Sequence, residues 1–295
     1  MVRLSIKKSG YYLIEWRLLM KVNILVEDKP VDEVFKSAFG LSMYIEYEGK
    51  KMLFDVGPSS VISDNAKLLN IDLEEVDYVI LSHGHQDHLG GLKHMMPIVK
   101  KAEFYASQYI DGEYYANLLT KGLTYIGIDK EIDTSSFKKV EENPIFITDN
   151  IVIITNKYED NFKPHGNKSL FQKIDQKYVL DDFLHEIILV IRENGKLVIF
   201  TGCSHSGITN MINSAKDIFP DCPVKGVFGG FHLFNPLTKI TESADELNNL
   251  ANDLKSYKGC TFYTGHCTGD KAFHVLKKEL DQNLIRFYTG FGVEI

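Results

Sequence analysis

Within six residues, His83-Gly84-His85-Gln86-Asp87-His88, the chain places three imidazoles and one carboxylate. These are the ligand types that hold a catalytic divalent cation while leaving one position open for water. The spacing suits that task. His83 and His85 flank Gly84 and can point the same way from a tight turn, while Asp87 and His88 follow in the next turn and can face a second ion nearby. Gly90-Gly91 then lets the backbone turn away close to the site. The plain alternative is a solvated His-rich loop. Against it stands the apolar run Val76 to Leu81, which leads straight into the cluster, and sites of α/β proteins form where strands end.

Two other histidines sit at similar junctions. Thr201-Gly-Cys-Ser-His205 and Thr264-Gly-His266 both read as a strand, a Thr-Gly step, a histidine and a helix. His232 ends an apolar run within Gly229-Gly-Phe-His-Leu233. A core or loop-anchoring histidine is one reading of it. The other places it at the mouth of the pocket, as an acid or as a donor to a substrate oxyanion. His94, His165, His185 and His274 are expected to be structural or exposed.

The elements that must position these groups alternate between strands and helices, the rhythm of an α/β protein. Val22 to Val26, Leu41 to Tyr47, Lys51 to Val56, Val76 to Leu81 and Glu103 to Ala106 read as strands. Val61 to Leu69 reads as a helix with Ile62, Ala66 and Leu69 on one face. Later, Glu186 to Ile191 and Lys196 to Phe200 flank Asn194-Gly195, a strong hairpin signal. Helices follow over Ile208 to Phe219, Glu242 to Lys255 (with Thr241 as its cap) and Lys271 to Leu280. Strands are expected at Val224 to Phe228, Thr261 to Tyr263 and Leu284 to Tyr288. Two polar stretches, near 109–140 and 156–182, read as insertions, overhanging the site or decorating the surface; a helix is expected in the first over Tyr114 to Leu119. Residues 1–20 read as an extension outside the domain of residues 21–295, with Glu15 and Arg17 interrupting its apolar part.

The run 83–88 matches the H-x-H-x-D-H motif, and the chain resembles the metallo-β-lactamase superfamily from about Lys21 onward. Phe54-Asp55-Val56-Gly57 resembles its early Asp-x-Gly turn, Thr201-Gly202 its late Thr-Gly junction, and His266 its final metal histidine. The resemblance implies an α/β fold of four layers, an αββα sandwich. Two departures stand out. Cys203 occupies the place of the family's metal-bridging Asp, and no Gly-His-Thr type turn supplies a further metal histidine between Gly91 and Thr201. His205, on the same junction as Cys203, is the substitute ligand. Direct ligation by Cys203 is the minor reading, although a thiolate suits a soft metal; Cys267 reads as buried or as standing behind a ligand. The sequences Gly202-Cys-Ser-His-Ser-Gly207, Gly229-Gly-Phe-His-Leu233 and Gly265-His-Cys-Thr-Gly269 resemble the subfamily labelled 7,8-dihydropterin-6-yl-methyl-4-(β-D-ribofuranosyl)aminobenzene 5′-phosphate synthase. Asp182 and Glu186 fit that pattern too.

The expectation is therefore a metal-dependent hydrolase, or a related transferase or synthase, acting on a small phosphate-containing molecule. His83, His85 and His205 hold one divalent ion, and Asp87, His88 and His266 hold another, with Asp87 also orienting the attacking water. Zinc suits these ligands, as do manganese and iron, and one ion or two are compatible with the set. Two competing readings are a di-iron redox enzyme and a non-enzymatic metal sensor or scaffold. Composition bounds the partners. With 33 Lys and Arg against 40 Asp and Glu the net charge is -7, and no basic run offers a groove for nucleic acid. Four cysteines without a C-x-x-C pair read as reduced thiols, so a cytoplasmic protein without a membrane span is expected.

Overall fold

The computed structural model describes residues 19–118, 121–159 and 161–295, together with the backbone of strands Leu4–Ile6 and Tyr12–Ile14. Most of the expected 1–20 extension lies outside the described residues. At its end Met20 is fully buried and exchanges backbone hydrogen bonds with Ile295, 3.1 and 2.9 Å long.

Among the described residues, two seven-stranded sheets organise the chain. The first runs, in spatial order, Lys138–Val140, Glu103–Ser107, Tyr78–Leu81, Lys50–Phe54, Ser42–Tyr47, Lys21–Val26 and Gly292–Glu294. The second runs Ile145–Phe146, Ile151–Thr155, Ile187–Glu193, Lys196–Phe200, Val224–Phe228, Thr261–Thr264 and Leu284–Arg286. Successive residues of a strand point to opposite faces, so each strand feeds two cores. Ile187, Leu189 and Ile191 join Met43, Ile45, Phe54 and Ile80 between the sheets. Ile188 and Val190 point outward, against Met211, Leu247 and Leu276 of helices Ile208–Ile218, Ala244–Lys255 and Asp270–Leu280. On the far side, Leu53, Val79 and Leu81 pack on Ile62 and Ala66 of helix Val61–Leu68 and on Leu92. The result is the αββα sandwich. Each such buried aliphatic side chain contributes about 1.5–3 kcal/mol, so both sheets depend on the shared middle layer.

Both sheets are parallel where it matters for the site. Lys50–Phe54, Tyr78–Leu81 and Glu103–Ser107 run parallel. So do Lys196–Phe200, Val224–Phe228, Thr261–Thr264 and Leu284–Arg286. The hairpin at Asn194-Gly195 forms with φ of 50° and 72°, the left-handed pair that a two-residue turn of this type requires.

Three expectations need correction. Tyr114 to Leu119 is not a helix: Tyr114–Leu118 is a strand, and Leu119 lies outside the described residues. It pairs with Gly122–Tyr125 and, across more than fifty residues, with Leu170–Ile174, which pairs in turn with Lys177–Leu180. Tyr114 and Ala116 are buried and Tyr115 less so, a period of two that this pairing selects over the helical one. The two polar stretches thus meet in a four-stranded sheet. The cap of helix Ala244–Lys255 is Ser243 rather than Thr241, because Ser243 and Glu246 close a reciprocal capping box. The last strand of the second sheet ends at Arg286, two residues early. No helix among the described residues is long and apolar enough to cross a membrane.

Candidate metal centre

The loops leaving the carboxyl ends of the parallel strands converge. Lys50–Phe54 delivers Asp55, and Tyr78–Leu81 delivers His83, His85, Asp87 and His88. From the second sheet, Lys196–Phe200 leads to Cys203 and His205, Val224–Phe228 to His232, and Thr261–Thr264 to His266. Close backbone approach is built in. A Cβ on Gly202 would lie 2.2 Å from Ser82 Oγ, and one on Gly91 would lie 2.5 Å from Val56 O. Asp55, Ser204, His232 and His266 all hold positive φ between 47° and 63°, strain of the kind that concentrates at functional sites.

Of five groupings of ligand-type side chains among the described residues, two hold the residues expected from the sequence as ligands, and a third joins His232 to Cys203 and His205. Ligand atoms of His83, His85 and His205 lie within 4.8 Å of one another, and so do those of Asp87, His88, Cys203 and His266. All six residues expected from the sequence as metal ligands therefore fall into these sets, in the expected division. Cys203 joins the second, its Sγ 3.2 Å from His88 Nε2. Asp87 Oδ2 stands 3.2 Å from His266 Nε2 and 3.7 Å from His88 Nε2.

Four of the five imidazoles, those of His83, His88, His205 and His266, are tied from behind. His83 Nδ1 donates to Ser82 Oγ at 2.8 Å, and Ser82 Oγ in turn donates to Asp55 Oδ2 at 2.6 Å. His88 Nδ1 donates to the same Oδ2 at 2.6 Å. His266 Nδ1 donates to Asp28 Oδ1 at 2.8 Å, and His205 Nδ1 to Asn167 Oδ1 at 3.0 Å. The protons are assigned from these partners: Asn167 uses its amide to donate to His205 O, so its Oδ1 must accept. Fixing Nδ1–H leaves the Nε2 lone pair facing inward, which is how a ligating histidine is held.

The fit to a cation is direct. Nε2 of His83, His85, His205 and His266 is buried and without a hydrogen-bond partner. Unpaired buried polar atoms are costly, about 1–3 kcal/mol each, and four converging ones are explained by a bound ion. Burial, reinforced by the neighbouring imidazoles, pushes His83 and His205 well below the usual histidine range, so both stand neutral, the form that ligates. Burial would raise Asp87, but His88, His266 and His85 outweigh it and hold the carboxyl well below the usual range. Burial pushes the Cys203 thiol well up.

Among the groups that support the site, sequence reasoning missed Asp28, Asn167 and Asp181 and named His185, Glu186, His232 and Cys267. Asp181, not the exposed Asp182, is the buried carboxylate here: it accepts from His185 Nε2 at 3.1 Å and stands 3.7 Å from His85 Nε2. His185 also accepts from Gly84 N–H at 2.9 Å, so both its nitrogens are engaged in holding the loop. Glu186 accepts from the backbone N–H groups of His205 and Ser206. His232 is buried, and neither ring nitrogen has a partner; its ring lies 4.1 Å from that of His205. Cys267 is buried and accepts from His232 N–H at 3.3 Å.

Architecture and site together define a metallo-β-lactamase-type protein, and comparison with known proteins agrees: the chain belongs to the metallo-β-lactamase superfamily. The family model of that name matches residues 38–113. Among curated relatives, an uncharacterized protein of Methanocaldococcus jannaschii is 33% identical over 87% of this chain and 94% of its own length. The 7,8-dihydropterin-6-methyl-4-(β-D-ribofuranosyl)-aminobenzene-5′-phosphate synthase of the same organism is 31% identical over 92% and 95%. A crystal structure described as a metal-dependent hydrolase of the β-lactamase superfamily is 28% identical, with a TM-score of 0.80 over 94% of this chain and 99% of that one.

Proposed function

We propose that the protein is a metal-dependent hydrolase of a small, phosphate-containing molecule. In this reading His83, His85 and His205 hold one divalent cation, and Asp87, His88, His266 and Cys203 hold a second. The observation that carries it is the inward convergence of the buried Nε2 atoms of His83, His85, His205 and His266, three of them on rings fixed from behind. Zinc suits the nitrogen, oxygen and sulfur donors; manganese or iron would suit a set in which Cys203 stays protonated. A bound cation supplies Lewis acidity and a water whose pKa falls toward neutrality.

The chain's own residues do the rest. Asp87, which a cation held beside it would keep ionised, orients the attacking water through its carboxylate. His232 carries at least one ring N–H with no protein partner, at the cavity that His85, His205 and His266 also line. That N–H is free to donate to charge developing on a substrate oxygen, or to the leaving group. The phosphate is suggested by the name of the synthase relative, and hydrolysis by the description of the structural neighbour. Four free cysteines suit a reducing compartment such as the cytoplasm.

The test joins metal analysis to turnover. His266→Ala should lose about half of the bound metal and most of any phosphoesterase activity. Equal metal content and equal rate in the variant would remove His266 from the site, and a wild-type protein that takes up no zinc, manganese or iron would end the reading.

A further inference from the structure

The cavity over the candidate ligands measures about 350 Å³. Its floor is polar, made by His85, Asp87, Cys203, His205, His232 and His266. Its walls are of another chemistry: Phe39, Leu118, Ile126, Leu170, Pro236 and Leu237. Leu118, Ile126 and Leu237 are only partly buried, packed on a small satellite core of Ala116, Leu170 and Phe183, so they present apolar surface to the cavity. Among the described residues lining it, none is Lys or Arg.

Of the polar groups on the walls, Asn235 and Ser169 are occupied, and Gln86 is exposed. Asn235 donates to Gly166 O and Ser169 Oγ and accepts from the N–H groups of Leu237 and Thr238. Ser169 Oγ donates to Gly166 O. An apolar ring laid against this wall removes apolar surface from water on both sides of the contact. A phosphate finds its complement only at the histidine floor.

Resting on the hydrolase reading, we infer that the site prefers phosphate esters of apolar, ring-sized alcohols, aryl phosphates above all, over those of small alkyl alcohols. The phosphate occupies the histidine floor and the ring lies against the apolar walls. Leu118 and Leu237 set this preference.

The test separates the preference from the chemistry by using phosphonates, which cannot be hydrolysed. Calorimetric titration of the zinc-loaded protein should show phenylphosphonate binding at least tenfold more tightly than methylphosphonate. Leu118→Ser combined with Leu237→Ser should reduce that ratio to about one, with zinc content and methylphosphonate affinity unchanged. Equal affinities in the wild type, or an unchanged ratio in the variant, would overturn the inference whether or not the protein turns over phenyl phosphate. Selective phenylphosphonate binding without turnover would instead overturn the hydrolase reading and leave the binding preference standing.

Discussion

Asp55 Oδ2 and His88 Nδ1 stand 2.6 Å apart with both side chains fully buried, and the same oxygen also takes the Ser82 hydroxyl. Asp55 Oδ1 accepts from Ser82 N–H at 2.7 Å, so one carboxylate serves three donors and reaches two of the candidate ligands, directly to His88 and through Ser82 to His83. Only an acceptor-only group can do this. Asp55→Asn keeps the volume but turns an N–H₂ toward one of the donors. Where that donor is His88, the ring proton moves to Nε2 and the inward lone pair is lost. The expected result is a 10–100-fold fall in zinc affinity at one site, the usual cost of losing such support. The unfolding free energy from denaturant titration should fall as well, by about 1–3 kcal/mol for the broken buried network. Competitive zinc titration against a chromophoric chelator reads the first effect, and unchanged affinity would contradict the role given to Asp55.

Asn167 does for His205 what Asp55 does for His88, but from the polar 156–182 stretch. Its Oδ1 receives Nδ1–H at 3.0 Å, and its amide returns a hydrogen bond to His205 O at 2.8 Å. Asn167→Asp retains the acceptor, whereas Asn167→Leu removes it. Zinc affinity of the first set should drop about tenfold or more in the leucine variant and recover in the aspartate variant. Unchanged zinc affinity in the leucine variant would show that Asn167 does not support His205, and a loss in both variants would assign the support to the amide N–H that bonds His205 O.

How far the sequence could be read follows from where each interaction runs. The H-x-H-x-D-H run and the Thr-Gly-His junctions are local, and each sits at the end of an apolar strand, so they are visible along the chain. The groups behind them are not. Asn167 lies 38 residues from His205, and Asp28 lies 238 from His266. Neither carries a local pattern. Asp181 and Asp182 are adjacent and chemically alike, and only the chain direction around Phe183, which holds φ of 59°, decides which one turns inward. Tyr114–Leu118 pairs on one side with the nearby Gly122–Tyr125 and on the other with Leu170–Ile174, more than fifty residues away, and only the first partner lies within a local window.

Cys203 decides the chemistry of the second set. Burial holds its thiol protonated, so only a cation beside it will favour the thiolate. With Sγ 3.2 Å from His88 Nε2, the sulfur is within reach of an ion held by that imidazole. Cobalt-loaded protein should show a thiolate-to-metal charge-transfer band in the near ultraviolet, and Cys203→Ser should abolish it while the visible bands of the remaining cobalt persist. An identical near-ultraviolet spectrum in the serine variant would place Cys203 outside the ligand set and leave the second ion to Asp87, His88 and His266.

Glu27 makes stability depend on pH in a way that can be worked through. Its carboxylate is fully enclosed, accepting from His266 N–H and Lys29 N–H at 2.6 Å each. Burial first, and then the charge of Asp28, raise its pKa from 4.5 to about 7 despite those two donors. In the unfolded chain the group titrates near 4.5. Between 4.5 and about 7 the folded protein therefore binds more protons than the unfolded one, so stability falls as pH rises through this window. The contribution is complete below the window and gone above it, about 3 kcal/mol in all at 1.36 kcal/mol per pH unit. Glu27→Gln, a neutral isostere, removes this slope. Urea unfolding of chelator-treated protein should show the variant gaining on wild type as pH rises from 4.5 to 7, with the difference constant above that. Zinc loading should shrink the difference, because a cation beside His266 stabilises the Glu27 carboxylate and draws its pKa back down. Parallel stability curves for wild type and variant across the window would mean that Glu27 is ionised in the folded protein throughout.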